Sequence, residues 1–196
     1  MKDMDQFFTD PELAERIVKW ALRSVDQLPL AKIRVLEPSA GDGAIVGALL
    51  ENGIKTYNLT PVEIDEAQAE DLHTVHRGIP VECCDFMQFV PLRGYHLAVM
   101  NPPYREGRAE AHCARALRMC RRVVILCLAS FCFSEGRQGI LWQHARVKRR
   151  VILAKRPKFH GPDCTGESAK YDYQILELER CQRLPGQVDQ VLEEIW

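Results

Sequence analysis

The chain has 196 residues, of which 46% are hydrophobic and 27% charged, and its formal net charge is −1. These values are typical of one globular domain, and no apolar run approaches the roughly 18 to 20 residues that a membrane span needs. Residues 1–10 carry four charges and no apolar stretch, so we predict no secretory signal. Eight cysteines occur without a Cys-x-x-Cys pair, which predicts reduced thiols in a cytoplasmic protein without a metal site.

Short β-branched runs alternate with helical stretches, which predicts a mainly parallel sheet with helices between its strands. Strands are predicted at residues 33–37, 57–64, 79–84, 95–100, 123–128, 151–154 and 173–178. A first helix begins at Pro11 with Thr9 or Asp10 as its cap, and further helices are predicted at 44–52, 66–76, 109–119 and 138–147. Residues 182–196 also have helical apolar spacing. We therefore predict an α/β, doubly wound, mostly parallel seven-stranded Rossmann-like sheet with helices on both faces.

The segment 37–43, Glu-Pro-Ser-Ala-Gly-Asp-Gly, follows the first predicted strand and precedes a helix. Its glycines allow a tight turn and close approach of a ligand, and Glu63, at the end of the second predicted strand, is placed to accept both hydroxyls of a ribose. Val46 stands where a dinucleotide-binding fingerprint has its third glycine, which favours a nucleoside cofactor without a phosphate. The alternative is an ordinary strand–turn–helix with surface acids.

Asp85 and Phe86 follow the third predicted strand. Asp85 can accept a hydrogen bond from an adenine amine, and Phe86 can pack on the ring. Taken alone, this pair would be a turn aspartate with a core phenylalanine. Asp85 is, however, the third acidic residue at the end of a predicted strand, after Glu37 and Glu63, which favours a role in cofactor binding.

Asn101-Pro102-Pro103-Tyr104 follows an apolar strand directly. The prolines stiffen the turn and remove two N–H groups, so the Asn101 amide oxygen and the Pro102 carbonyl can accept from one NH2 group. Its nitrogen lone pair is then available to attack an electrophilic methyl, and Tyr104 offers a face for stacking. Catalysis of this kind is mostly positioning and electrostatic complementarity, and it requires no metal.

A basic stretch extends from Arg137 to His160, with eight Lys or Arg and no Asp or Glu. Such a stretch can contact a phosphate backbone, although the alternative is a solvated basic face.

Together these motifs resemble the class I amino-methyltransferases, and more closely the gamma-type DNA adenine-N6 methyltransferases. The resemblance is strong over residues 7–105. It continues weakly through 131–159, which is similar to the C-terminal part of small phage-type enzymes. The residues that carry it are Thr9-Asp10-Pro11, the segment 37–43, Val62-Glu63-Ile64-Asp65, Cys84-Asp85-Phe86 and Asn101-Pro102-Pro103-Tyr104.

The resemblance implies S-adenosyl-L-methionine as the cofactor. Glu63 would bind its ribose, Ile64 would lie beside the adenine, and Asp85 would hold the adenine amine. Phe86 and Pro103 would flank the adenine ring. The methionine end would be bound or bordered by Thr9, Glu37, Ser39, Ala40, Gly41, Gly43 and Asn101.

The resemblance also implies that Asn101 and Pro102 hold the target amine while Tyr104 stacks on the target base. We expect Phe159 to pack on the other side of that base, with Arg137, Arg156 and Lys158 as further substrate contacts; Phe159 could equally be a core anchor. A base in duplex DNA would have to be flipped out to reach this corner.

One methyltransferase domain is expected over 1–196: a cofactor-side helix in 1–30, the core in 31–180 and a tail in 181–196. No separate target-recognition domain is expected. The predicted reaction is methylation of adenine N6 in DNA. RNA methylation at adenine N6 or guanine N2, protein glutamine methylation and a module without activity are the alternatives.

Overall fold

A computed structural model describes residues 6–133, 141–162, 164, 167–182 and 190–196. The helices are α1 (Pro11–Leu22), α2 (Ala44–Glu51), α3 (Glu66–Val75) and α4 (Arg108–Met119). The strands are β1 (Phe8–Thr9), β2 (Val35–Glu37), β3 (Leu59–Glu63), β4 (Glu82–Cys83), β5 (Tyr95–Met100), β6 (Cys120–Leu128), β7 (Ala145–Ile152), β8 (Phe159–His160), β9 (Tyr173–Arg180) and β10 (Leu192–Ile195). No helix in these ranges is long and apolar enough to cross a membrane.

Within the described residues, eight strands form one sheet in the order β10-β7-β9-β6-β5-β2-β3-β4. Strand β9 is antiparallel to both neighbours, and the other pairs are parallel. Strands β1 and β8 form a separate antiparallel ribbon. The predicted Rossmann-like α/β sheet is confirmed, with one strand more than the seven that the sequence pattern indicated.

The additional strand comes from the C-terminal segment. The apolar spacing of residues 182–196 indicated a helix, but residues 192–195 form strand β10, which is parallel to β7. The prediction is wrong for these residues because the open edge of β7 provides backbone partners. Glu194 of this strand also accepts a hydrogen bond from the Trp20 indole of α1, at 2.9 Å.

The helix predicted over 138–147 is also wrong from Ala145 onward. Strand β7 begins at this residue and ends at Ile152. Strand β7 pairs with β9 along its length, and Arg146 and Arg149 reach carboxylates on β9. Tertiary pairing therefore overrides a local helical pattern. Residues 138–140 lie outside the described ranges.

The first helix begins as the sequence predicts. Asp10 is its cap, because the carboxylate accepts from the Glu12 and Leu13 amides at 3.0 and 3.3 Å, and Pro11 occupies the first turn. Thr9, the other candidate cap, belongs to β1 instead.

Two hydrophobic clusters cover the two faces of the sheet. Strand β5 contributes to both, because successive side chains of a strand point to opposite faces. Leu97 and Val99 join the cluster that contains α1 and α2. Ala98 and Met100 join the cluster formed by α4 and the segment after β4. Helices therefore cover both faces, and the carboxyl ends of the parallel strands remain at one edge.

A network of ion pairs crosses β6, β9 and β7. Glu177 of β9 is fully buried and lies between Arg122 and Arg149, which both bind its carboxylate. The Arg149 guanidinium also lies 4.1 Å from the centre of the Trp20 ring and donates to the Ser24 hydroxyl at 2.7 Å. This network joins the antiparallel strands to α1.

Replacing Arg149 with methionine should destabilise the fold by about 3 kcal/mol, because a buried carboxylate loses one of its two cationic partners. The measurement is the free energy of unfolding in urea. Arg156→Met is the matched control, since it removes an exposed ion pair with Asp172 and should cost at most about 1 kcal/mol. Equal losses in the two variants would contradict this role of Arg149.

Candidate functional site

The carboxyl ends of β2, β3, β4 and β5 surround a cavity of about 360 Å³. Its lining includes eight residues that the sequence assigned to a cofactor or target: Ser39, Gly41, Glu63, Ile64, Asp85, Phe86, Asn101 and Pro103. Residues from four separate chain segments therefore meet at this edge, as expected for an open α/β sheet.

A smaller recess adjoins the cavity. Among the predicted residues, Thr9, Glu37 and Ala40 line this recess, and Ser39, Gly41 and Asn101 border both spaces. Gly43 lines neither and lies at the start of α2, where it is the N-cap.

The loop between β2 and α2 is held by Glu63. One carboxylate oxygen accepts from the Gly41 amide at 2.7 Å, and the other accepts from the Asp65 amide at 2.9 Å. Gly41 has a φ of +52°, and a side chain there would meet the Phe8 ring, with its Cβ 2.9 Å from Cδ1. Glycine is thus required for both the backbone conformation and the close approach of Phe8.

Glu37 is the most unusual group at the site. Its carboxylate is buried, and its Oε2 has no hydrogen-bond partner in the described part of the chain; the same holds for the Ser39 hydroxyl. Burial raises the pKa of Glu37 well above its usual range, and the charges of Asp42 and Glu63 add to that effect. Unsatisfied buried acceptors are costly, so the recess is suited to a ligand with a cationic donor.

The turn after β4 is fixed against α4. The Arg115 guanidinium donates to the carbonyls of Phe86 and Phe89, at 2.7 and 2.5 Å, and lies over the Phe86 ring. Asp85 accepts from the Met87 amide at 2.8 Å through one carboxylate oxygen. This side of the cavity is therefore well ordered by protein contacts.

Asn101 is hydrogen-bonded at both ends of its amide. Its Nδ2 donates to the Phe7 carbonyl at 2.9 Å and to the Thr9 hydroxyl at 3.0 Å. Its Oδ1 accepts from the Tyr104 hydroxyl, which also lies 3.0 Å from the Leu126 carbonyl. The oxygen expected to hold a target amine thus already accepts one hydrogen bond, from Tyr104, and an incoming amine would take its second lone pair or the place of that hydroxyl.

The β1–β8 ribbon covers this corner. Phe159 pairs with Thr9 and is only 6% exposed, and its ring packs against Phe7 and Tyr173 at centroid distances of 6.1 and 5.2 Å. In this arrangement Phe159 is the core anchor that the sequence allowed as an alternative. Its ring would have to leave this contact in order to stack on a target base.

Four arginines of the basic stretch pair with carboxylates. Arg146 pairs with Glu179, Arg149 with Glu177, Arg150 with Glu193 and Arg156 with Asp172. The basic run itself contains no acid, and these carboxylates come from later segments of the chain. Phosphate contact by Arg156 and Lys158 stays a prediction. Lys158 is exposed, and Arg137 lies outside the described residues.

Several lining residues were not predicted from the sequence. They come from the N-terminal segment, from α3 and the end of β4, and from the first turns of α4: Gln6, Phe7, Phe8, Gln68, Cys84, Met87, Arg108, Ala111 and His112. The one available signal was His112, a polar residue among Ala109, Cys113 and Ala116 on the buried face of a predicted helix.

Solved structures resemble the whole chain. With a TM-score of 0.74 and 10% identity, it is similar to a proposed class I S-adenosylmethionine-dependent methyltransferase from Listeria monocytogenes, over 100% of this chain and 67% of that one. The fold is that of the class I S-adenosylmethionine-dependent methyltransferases. No protein-family model matches the chain, and no curated protein matches it by sequence.

Two further structures with this methyltransferase fold are of proteins with different proposed functions. A proposed RNA methyltransferase from Pyrococcus horikoshii has a TM-score of 0.72 and 18% identity, and the match covers 91% of this chain and 90% of that one. The modification subunit of a proposed type I restriction enzyme from Vibrio vulnificus has a TM-score of 0.65 and 12% identity, covering 97% and 50%. At these identities the likeness establishes the fold alone.

Replacing Glu37 with glutamine should stabilise the ligand-free protein at neutral pH, on the order of 1 kcal/mol. The wild-type carboxyl group ionises freely only in the unfolded state, which favours unfolding, whereas the amide is neutral in both states. The raised folded-state pKa means that the wild type has its full stability below the unfolded pKa, near 4.5, and loses stability as pH rises through the raised value. The variant's advantage should therefore vanish in acid and grow toward neutral pH.

Urea unfolding across this pH range measures the effect, with the exposed Glu70→Gln as the control. An advantage of Glu37→Gln that does not change with pH, or a loss of stability at pH 7, would show that Glu37 is not a buried, unpaired carboxylate.

Proposed function

We propose that this protein is an S-adenosylmethionine-dependent methyltransferase that methylates the exocyclic amine of a nucleic-acid base, with N6 of adenine in DNA as the leading substrate. The observation that carries the proposal is that Asn101 and Pro103, from the Asn-Pro-Pro-Tyr corner, line the same cavity as the acidic strand-end residues Glu63 and Asp85.

The residues present fit the cofactor. The cavity volume lies within the range of ordinary ligand sites. Glu37 Oε2, which is buried and has no hydrogen-bond partner among the described residues, would accept from the amino group at the methionine end. Thr9, Ser39, Ala40 and Gly41 would border that end, and Gly43 would shape the loop.

The nucleoside end of the cofactor would lie between Glu63 and Asp85. The Glu63 carboxylate would accept from the ribose hydroxyls while keeping its contacts with the Gly41 and Asp65 amides. Ile64, Phe86 and Pro103 line the same space and would pack on the adenine ring.

When bound, S-adenosylmethionine supplies a methyl group on a positively charged sulfur, which departs as a neutral thioether. Asn101 Oδ1 and the Pro102 carbonyl would accept the two N–H groups of the target amine and orient its lone pair. With its lone pair held in this orientation, the amine would be placed to accept the methyl group as the neutral thioether leaves, and it would then release one proton to solvent. The contribution of the protein is orientation and electrostatic stabilisation.

A target amine would displace the Tyr104 hydroxyl from Asn101, while the Tyr104 ring would stack on the base. Tyr104→Phe keeps the ring and should retain kcat/KM within a few-fold. Tyr104→Ala removes the stacking surface and should lower kcat/KM by about 5- to 150-fold, since stacking contributes about 1–3 kcal/mol per base. Steady-state methyl transfer measures both, and a larger loss in Tyr104→Phe would contradict the role of the ring.

RNA is the second candidate. A proposed RNA methyltransferase from Pyrococcus horikoshii has a similar fold, and the match covers 91% of this chain. Adenine N6 or guanine N2 would suit the same corner, since each is a planar exocyclic amine.

The substrate is tested by incubating the protein with methyl-labelled cofactor and duplex DNA, single-stranded DNA, structured RNA or a protein extract, then digesting and identifying the labelled product. We expect N6-methyldeoxyadenosine from DNA. Label found only in RNA would select the second candidate, and label found only on glutamine would exclude both nucleic acids.

Asn101→Ala should lower methyl transfer at saturating cofactor by at least about 100-fold, because it removes an acceptor needed in the transition state. Asn52→Ala is the matched control, since Asn52 caps the end of α2 and contacts Glu15. Activity retained in Asn101→Ala would overturn the proposed mechanism.

A further inference from the structure

His112 of α4 lines the cavity beside Asp85 and Phe86. The residue is 7% exposed, and its ring packs against the Phe86 ring with centroids 5.3 Å apart. Arg115, one turn further along α4, holds the Phe86 and Phe89 carbonyls. The imidazole therefore has a fixed position relative to the Asp85 turn.

The hydrogen bonds of His112 define which nitrogen carries the proton. Nδ1 lies 2.9 Å from the Arg108 carbonyl, and a carbonyl can only accept, so Nδ1 carries the hydrogen. Burial lowers the pKa of His112, Arg108 and Arg115 lower it further, and Asp85 and the backbone contact oppose them. A neutral ring with a proton on Nδ1 has an acceptor lone pair on Nε2, which has no hydrogen-bond partner in the described ranges.

Asp85 has a similar unused acceptor. One of its carboxylate oxygens accepts from the Met87 amide, and the other makes no hydrogen bond with the residues that the structure describes. Asp85 and His112 both line the cavity, together with Phe86, so two acceptors, Asp85 Oδ2 and His112 Nε2, belong to residues of the same wall. An exocyclic amine has two N–H groups.

We propose that His112 Nε2 and Asp85 Oδ2 together accept the two protons of the adenine amine of the cofactor, and that His112 thereby selects adenosine cofactors over deaminated ones. The inference rests on the proposed function, because it places the adenine beside Asp85. In the inosine analogue an oxo group replaces the amine. This oxygen would face two acceptors without a proton between them, which is unfavourable.

The test is calorimetric titration of the full chain with S-adenosylhomocysteine and with S-inosylhomocysteine. His112→Asn places an amide near Nδ1 and can keep the contact with the Arg108 carbonyl, but it has no acceptor at the position of Nε2. His112→Gln carries an amide oxygen that reaches that position. Loss of one neutral hydrogen bond corresponds to about a 3- to 10-fold change in affinity.

We expect His112→Asn to bind S-adenosylhomocysteine about 3- to 10-fold more weakly and S-inosylhomocysteine no more weakly, so that discrimination between the two ligands falls. His112→Gln should retain most of the wild-type discrimination. Equal weakening for both ligands would show a purely structural role and overturn the inference, as would unchanged discrimination in His112→Asn. Failure of the wild type to bind S-adenosylhomocysteine would instead reject the proposed function.

Discussion

The two backbone contacts of the Glu63 carboxylate organise the site. One oxygen binds the amide of Gly41, after β2, and the other binds the amide of Asp65, before α3. A single side chain thus sets the distance between the loops that follow two neighbouring parallel strands. The left-handed conformation of Gly41 and the close packing of Phe8 depend on this loop position, and so does the shape of the recess beneath Glu37.

Some polar groups of the site have hydrogen-bond partners within the described part of the protein, and others do not. Glu37 Oε2 and the Ser39 hydroxyl are buried without a hydrogen-bond partner among the residues that the structure describes, whereas both ends of the Asn101 amide are bonded to the ribbon or to Tyr104. His160 of the ribbon also contacts the glycine-containing loop, with its Nε2 2.5 Å from Asp42 Oδ2. Thr9 contacts Asn101 and borders the recess. The β1–β8 ribbon, which covers the Asn101–Tyr104 corner, therefore also forms part of the proposed cofactor site.

Local patterns predicted the parts of the fold that are determined by local chemistry. Residues 95–100 were predicted as a strand with its observed bounds, because an apolar run that ends in Asn-Pro-Pro has few alternatives. A strand was predicted at 151–154, but the beginning of β7, from Ala145 to Val147, was assigned to a helix. Its arginines depend on Glu177 and Glu179, which lie far along the chain. The contact of Asn101 with Phe7 and the orientation of His112 are likewise tertiary features that periodicity does not encode.

The most direct test is a crystal structure of the protein with S-adenosylhomocysteine. The ribose hydroxyls should contact Glu63, the adenine amine should lie beside Asp85, and the amino group at the other end should lie within hydrogen-bond distance of Glu37 Oε2. A ligand bound outside this cavity, or one that leaves Glu37 without a partner, would contradict the assignment of the acidic strand ends to the cofactor.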